Sequence, residues 1–161
     1  MEAIYFGSGG GWCGSGSPAV LADLENGLWG CDTPGGQNPN LTSLAFPFVT
    51  AMLKGGENGF SLKGANAGGD ANSTSRALKT FYDGPRPPGY QPMHKTGAII
   101  LGVGGDNISR RRKGQQAVLA QPMIPGMSIG IFYEGAMTAG YSADATDDAV
   151  QADIVAAGYG L

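Results

Sequence analysis

The sequence predicts an all-β sandwich that is rich in loops and has one short helix near its C-terminus. Of the 161 residues, 29 are glycine and 10 are proline, and both residue types weaken the interior of a helix. The hydrophobic fraction of 42% is large enough for a buried core, whereas only 14% of the residues are charged. These three observations exclude a helical bundle, a coiled coil and a charge-rich disordered chain.

Short apolar runs that end in turn signals predict the strands of the sandwich. Glycine pairs and the Asn-Gly dipeptide mark the turns, and short strands at such intervals are typical of a sandwich. In chain order, the predicted strands are residues 3–7, 20–25, 46–53, 60–63, a segment around residue 82, 98–103 and 129–133.

Residues 146–157 differ from the rest of the chain because they contain neither glycine nor proline. Two acidic residues stand in the first turn, and apolar residues such as Val150 and Ile154 follow at helical spacing. The pattern predicts a short helix that begins near Asp144 and ends at Gly158.

Charge and residue counts exclude several classes of partner and site. The net charge of −3 provides no general attraction to nucleic acid or to an anionic membrane. The four basic residues at 110–113 have no adjacent aromatic residue, which indicates a solvated loop. The longest apolar run, residues 98–101, is too short to cross a bilayer, and no signal peptide is visible. Cys13 and Cys31 lack metal-ligand spacing, so we predict neither a metal nor a cofactor.

Carboxylates are the residues that best indicate chemistry, since the single histidine offers no catalytic triad. In a strand, Asp23 and Glu25 would project from the same face, ~6.5 Å apart along the chain. Asp106 follows an apolar strand and two glycines, which let the backbone approach a ligand closely. Two carboxylates that flank a bound sugar can hydrolyse a glycosidic bond, with retention at a separation of ~5–5.5 Å. Exposed acids in turns and at sheet edges are the alternative interpretation.

Several longer segments are similar to one known family. They resemble, in the same order, the catalytic domain of α-L-arabinofuranosidase B, which is glycoside hydrolase family 54. The resemblance covers most of the chain outside two loops. The segments are 1–7 (MEAIYFG), 22–28 (ADLENGL), 48–52 (FVTAM), 92–95 (PMHK), 97–107 (GAIILGVGGDN), 132–138 (FYEGAMT) and 144–159.

The resemblance implies a concanavalin-like β-sandwich, or jelly roll, and an extracellular, retaining enzyme. Such an enzyme releases terminal α-L-arabinofuranosyl units from arabinan and arabinoxylan, which are polysaccharides of the plant cell wall. The family nucleophile falls on Glu25 and the general acid/base falls on Asp106. For Trp12 a place in the core is an equal alternative to sugar stacking. The positions that would contact the sugar are Asp23, Asn26, the backbone of Gly105, and Trp12.

The chain also departs from the family pattern. Met1 falls at an internal methionine of that pattern, so we expect residues 1–161 to form an incomplete catalytic sandwich without the arabinose-binding module that follows in the family. Residues 108–131 stand where the family has a much shorter link, which indicates an insert. A non-catalytic sugar-binding sandwich, or an inactive truncated remnant, is therefore the alternative function. Tyr133 and Glu134 resemble the family but are equally typical of structural residues.

Overall fold

The fold is that of a computed structural model. It describes residues 3–7, 19–23, 28–30, 38, 40–69, 72–86 and 131–161. These residues form two three-stranded antiparallel sheets and two helices. Within the described ranges, no helix is long and apolar enough to cross a membrane.

The first sheet contains β1 (Ala3–Gly7), β2 (Ala19–Asp23) and β3 (Leu28–Trp29), in the order β1-β2-β3. Residues 19–22 of the central strand are almost fully buried, which is why this strand is a continuous apolar run. In β1, Tyr5 is buried and Ile4 is exposed, the alternation that is typical of a strand with one solvated face.

The second sheet contains β4 (Val49–Gly55), β5 (Gly59–Asn66) and β6 (Lys79–Pro85), in the order β4-β5-β6. The turn between β4 and β5 is closed by the N–H of Gly56, which donates to the carbonyl of Gly59 at 2.9 Å. Every residue of the central strand from 60 to 66 is buried, and a β-bulge interrupts its pairing with β6 at Leu62/Lys63.

The two sheets face each other across one hydrophobic core. β2 supplies two small side chains, β5 and β6 supply larger ones, and a residue before β4 completes the cluster. The buried residues are Val20, Ala22, Leu44, Phe60, Leu62 and Phe81. Contacts between β2 and β5 and between β1 and β4 join the layers, so the described part of the chain is a sandwich of two antiparallel sheets.

The C-terminal helix confirms its prediction. α2 runs over Asp144–Ala156, and Gly158 adopts a φ of 75° just beyond its end, where glycine meets no steric penalty. The four-residue helix α1 (Ser73–Arg76) was not predicted, and the Asn72 side chain caps it by accepting the N–H of Ser75 at 2.9 Å.

The strand predictions have mixed outcomes. β1 is confirmed, and the predicted strand 20–25 is confirmed over residues 20–23, the part that the structure describes. β4 begins at Val49 because residues 46–48 bend around Pro47. The prediction of a strand at 129–133 is wrong for residues 131–133, which pair with no described strand and whose side chains are exposed. The predicted strand 98–103 lies outside the described residues.

Candidate functional site

Asp23 is the predicted site residue whose backbone the structure describes. It is the last residue of β2 and pairs with Ala3 of β1 on one side and with Leu28 of β3 on the other. Antiparallel partners have Cα atoms roughly 4.5–5.5 Å apart. The two ends of the connection formed by residues 24–27 are therefore fixed as neighbours at one end of the first sheet.

The other predicted site residues lie outside the described part of the chain. Glu25 and Asn26 belong to the connection between β2 and β3, and Trp12, Gly105 and Asp106 are likewise outside. The assignment of Glu25 and Asp106 as the catalytic pair stays a prediction from the sequence, as does the expectation that Asp23 and Glu25 share one strand face.

A buried cluster of charged side chains joins the second sheet to α2. The Nζ atoms of Lys54 on β4 and Lys63 on β5 each lie 2.7 Å from the same Oδ2 atom of Asp147. Asp144 Oδ1 accepts hydrogen bonds from Lys54 Nζ at 3.2 Å and from Lys63 Nζ at 2.6 Å. The Asp144 side chain is 79% exposed. Ser142 Oγ donates to Asp147 Oδ1 at 2.5 Å. Both oxygens of the buried carboxylate therefore accept hydrogen bonds.

Strand register brings the two lysines together. Lys54 pairs with Ser61, and Lys63 is two residues further along β5, so the two side chains lie diagonally on one face of the sheet. The carboxylates of α2 cover that face, since Asp147 is in the first turn of the helix. The two positively charged lysines can lie close together because the carboxylates of Asp144 and Asp147 lie between them and offset their repulsion.

Three groups of the cluster, Lys63, Asp144 and Asp147, are charged at neutral pH. Burial by itself would raise the pKa of Asp147, but hydrogen bonds from Lys54, Lys63 and Ser142 outweigh burial and lower that pKa to about 2. Burial likewise opposes the charge on Lys63, yet its hydrogen bonds to Asp144 and Asp147 raise its pKa above the ordinary value. The pKa of Asp144 is lowered, chiefly by the hydrogen bond from Lys63. These groups fix the position of the helix, and none of Lys63, Asp144 and Asp147 holds a proton that is easily transferred near pH 7.

Gln151 makes a second polar contact between α2 and the rest of the fold. Its Nε2 atom donates to the carbonyl of Asn66 at 3.0 Å and to that of Arg76 at 2.9 Å. The side chain is buried, so α2 is joined to both β5 and α1. Of the apolar residues at helical spacing, Val150 is 46% exposed, whereas the buried residues of the helix are Asp147 and Gln151.

Three aromatic rings hold the segment before α2 against the end of the chain. The ring centroids of Phe48, Tyr133 and Tyr159 are 5.3–5.7 Å from one another, within the range of favourable aromatic pairs. Tyr159 OH donates to Glu134 Oε1 at 2.8 Å, and this hydrogen bond raises the pKa of Tyr159. These contacts give Tyr133 and Glu134 a structural role.

Lys54, Lys63 and Gln151 were not predicted from the sequence. A signal for the lysines was present, because each interrupts an otherwise uncharged strand, and a buried lysine requires a carboxylate partner. Among the described residues, no group of three or more His, Cys, Asp or Glu side chains could hold a metal ion.

A family model described as "Alpha-L-arabinofuranosidase B, catalytic" matches residues 1–160. The chain belongs to this family. The family resemblance predicted from the sequence segments is therefore confirmed, and so is the all-β class with one short C-terminal helix.

Curated relatives and solved structures agree with this membership. The chain is 48% identical over 165 residues to the probable α-L-arabinofuranosidase B of Aspergillus clavatus, and 47% identical over 165 residues to an α-L-arabinofuranosidase of Hypocrea jecorina. Both alignments cover 100% of this chain and 28% of the relative. An arabinofuranosidase crystallised with arabinofuranosyl-α-1,2-xylobiose superposes with a TM-score of 0.73 at 39% identity, over 98% of this chain and 29% of that one. The chain thus spans little more than a quarter of the length of these relatives.

Proposed function

We propose that this chain carries the catalytic carboxylates of a retaining α-L-arabinofuranosidase that releases terminal arabinofuranosyl units from arabinan and arabinoxylan. The observation that carries the proposal is the match of residues 1–160 to the catalytic family. A solved relative bound to arabinofuranosyl-α-1,2-xylobiose supports the substrate class. Another family 54 arabinofuranosidase, in which a glutamate is replaced by glutamine, was soaked with 4-nitrophenyl α-L-arabinofuranoside.

The reaction assigns a separate task to each carboxylate. Glu25 attacks the anomeric carbon, the bond to the leaving oxygen breaks, and Asp106 protonates that oxygen. Asp106 then takes a proton from water, whose oxygen attacks the anomeric carbon and releases Glu25. No cofactor takes part. Asp23, Asn26, the backbone of Gly105 and Trp12 bind the sugar.

The first sheet supports this assignment at Glu25. Residues 24–27 join two paired strands, and the central strand that enters this connection is buried among apolar residues. Catalysis depends on the alignment of the nucleophile with the substrate, and the described strands on both sides of this position are paired within one sheet.

The same proposal extends to fold and location. We infer that the sandwich has the topology of a concanavalin-like jelly roll. Residues 1–161 are part of one catalytic domain, and residues 108–131 are an insert in it. The protein acts in the extracellular space. Secretion by the source organism, tested with an antibody to this chain in culture medium and in cell extract, would check the location.

The test of activity is the release of 4-nitrophenol from 4-nitrophenyl α-L-arabinofuranoside. We expect Glu25→Gln and Asp106→Asn each to lower kcat/KM by roughly 10³-fold or more, since each removes a group that acts at the reacting atoms. Glu57→Gln is the matched control, because Glu57 is an exposed carboxylate in the turn between β4 and β5. Near-normal activity of Glu25→Gln would overturn the assignment of the nucleophile.

The second candidate is a non-catalytic sugar-binding sandwich or an inactive remnant. Titration calorimetry with arabino-oligosaccharides separates these functions. Binding without turnover identifies a binding module, and the absence of both identifies a remnant.

A further inference from the structure

A cleft of about 400 Å³ lies where the β4–β5 turn meets the end of β6 and the segment before α2. The residues that line it include Tyr141, Asn58 and Asp83. Gly59 and Gly84 line it too, and a Cβ on Gly59 would come within 2.4 Å of the carbonyl oxygen of Gly84. The two backbones therefore meet closely at the cleft, where side chains would otherwise fill the space.

Tyr141 is held in place while much of its surface stays open. The residue is 46% exposed, and the Nζ atom of Lys54 lies 4.4 Å from its ring centroid, a cation–π distance. Asp147 fixes the position of Lys54 through their ion pair. The ring of Tyr141 is therefore oriented by the same charged cluster that joins α2 to the second sheet. A ring held in this way loses little conformational entropy when a ligand stacks on it.

The polar groups of the cleft are available to a ligand. Asp83 on β6 and Asn58 in the turn are both exposed, and within the described residues neither side chain forms a hydrogen bond given by the structure. The turn that carries Asn58 is itself fixed, since Arg86 Nη1 donates to the carbonyls of Gly56 at 2.5 Å and Glu57 at 3.2 Å. The cleft thus offers a carboxylate acceptor and an amide that both donates and accepts.

We propose that this cleft binds a pentose unit of a xylan or arabinan chain. The choice of polysaccharide rests on the proposed function. The apolar face of the sugar packs on Tyr141, and its hydroxyls bond to Asp83 and Asn58. An anion is disfavoured because the Asp83 carboxylate repels it, and Lys54 behind the ring is already paired with Asp144 and Asp147.

The experiment measures binding of the 161-residue chain to soluble arabinoxylan by affinity electrophoresis, together with turnover of 4-nitrophenyl α-L-arabinofuranoside. We expect Tyr141→Ala and Asp83→Asn to weaken arabinoxylan binding by roughly three- to tenfold each, the effect of losing one or two modest contacts. We expect turnover of the small substrate to be unchanged, because its single sugar unit is the one bound at the proposed catalytic carboxylates. Tyr141→Phe keeps the ring and should bind as the unmodified chain does.

Phe132→Ala is the matched control for loss of an exposed aromatic ring, because Phe132 is 60% exposed and does not line the cleft. Far-UV circular dichroism verifies that each variant is folded. Asp83→Asn serves as the second variant if Tyr141→Ala does not fold, since Asp83 lies on the surface.

The outcomes separate the cleft from the proposed function. Arabinoxylan binding that depends on Tyr141 and Asp83 supports the cleft even if the nitrophenyl substrate is not turned over, a result that would count against the enzyme assignment alone. Normal turnover with arabinoxylan binding that is absent, or unaffected by both variants, overturns the cleft and leaves the enzyme assignment in place. A loss of small-substrate turnover equal to the loss of arabinoxylan binding would also overturn the proposal of a separate binding cleft.

Discussion

Lys63 Nζ and Asp147 Oδ2 lie 2.7 Å apart with both side chains buried, and this contact joins β5 to α2 across 84 residues of sequence. Lys54 contacts the same oxygen atom at the same distance. One buried carboxylate is thus shared by two buried ammonium groups, and Asp144 supplies the second negative charge. Asp147 is the central group in the docking of the helix.

Asp147→Asn should destabilise the fold strongly. The change removes the buried one of the two carboxylates that both lysines contact and leaves only the exposed Asp144. Breaking a buried pair costs about 3–5 kcal/mol. The free energy of unfolding in urea measures the loss. Asp148→Asn is the matched control, because Asp148 is adjacent and exposed. An equal loss in both variants would contradict a special role for Asp147.

Asp144→Asn should lower the free energy of unfolding clearly less than Asp147→Asn does, because the Asp144 side chain is 79% exposed.

Stability should fall in acid because of the same carboxylate. The pKa of Asp147 in the folded chain is about 2, below its ordinary value of 3.8. The unfolded chain therefore binds more protons between these values, and stability decreases as the pH drops through this window. Above about pH 5 this carboxylate contributes no further pH dependence. Urea midpoints measured from pH 2 to pH 6 check the slope, and the slope should be smaller in Asp147→Asn. An unchanged slope in that variant would be the contrary result.

Gln151→Ala should loosen α1 more than α2. The substitution removes two hydrogen bonds to backbone carbonyls and leaves the buried carbonyl of Asn66 unpaired, which costs about 1–3 kcal/mol. Amide hydrogen exchange should show faster exchange at the end of α1, because its residue Arg76 loses a partner from another element. Asp153→Ala, an exposed change in the same helix, serves as control and should leave exchange in α1 unaltered.

Gly64→Ala should destabilise the sandwich by overpacking its core. A Cβ at this position would come within 2.8 Å of both Leu44 Cδ1 and Phe81 Cε2, and within 3.1 Å of the carbonyl oxygen of Thr50. Insertion of a methyl group into a packed core typically costs about 1–3 kcal/mol. Thermal unfolding should show a lower midpoint. A midpoint equal to that of the unmodified chain would mean that Leu44 and Phe81 move aside freely.

Local patterns predicted much of the fold. β1 and α2 could be predicted because their signals are contained within a few neighbouring residues: alternation in one, and a stretch without glycine or proline in the other. The candidate catalytic residues came from similarity to a family whose matching segments extend along residues 1–160. Residues 131–133 show where local patterns fail, because an apolar run becomes a strand only if a partner strand lies beside it.

The sequence by itself determined the class of the fold, the C-terminal helix, the family and, through the family, the prediction that Glu25 and Asp106 do the chemistry. Only the tertiary structure decided that α2 docks through Asp147 and Gln151 and that Lys54 and Lys63 share one carboxylate. It alone also placed Tyr141 beside Asp83 and Asn58. The physical reason is the distance along the sequence over which each interaction acts. Helix and turn propensities act between near neighbours, whereas a buried ion pair or a cleft depends on strand register and packing between residues more than 80 positions apart.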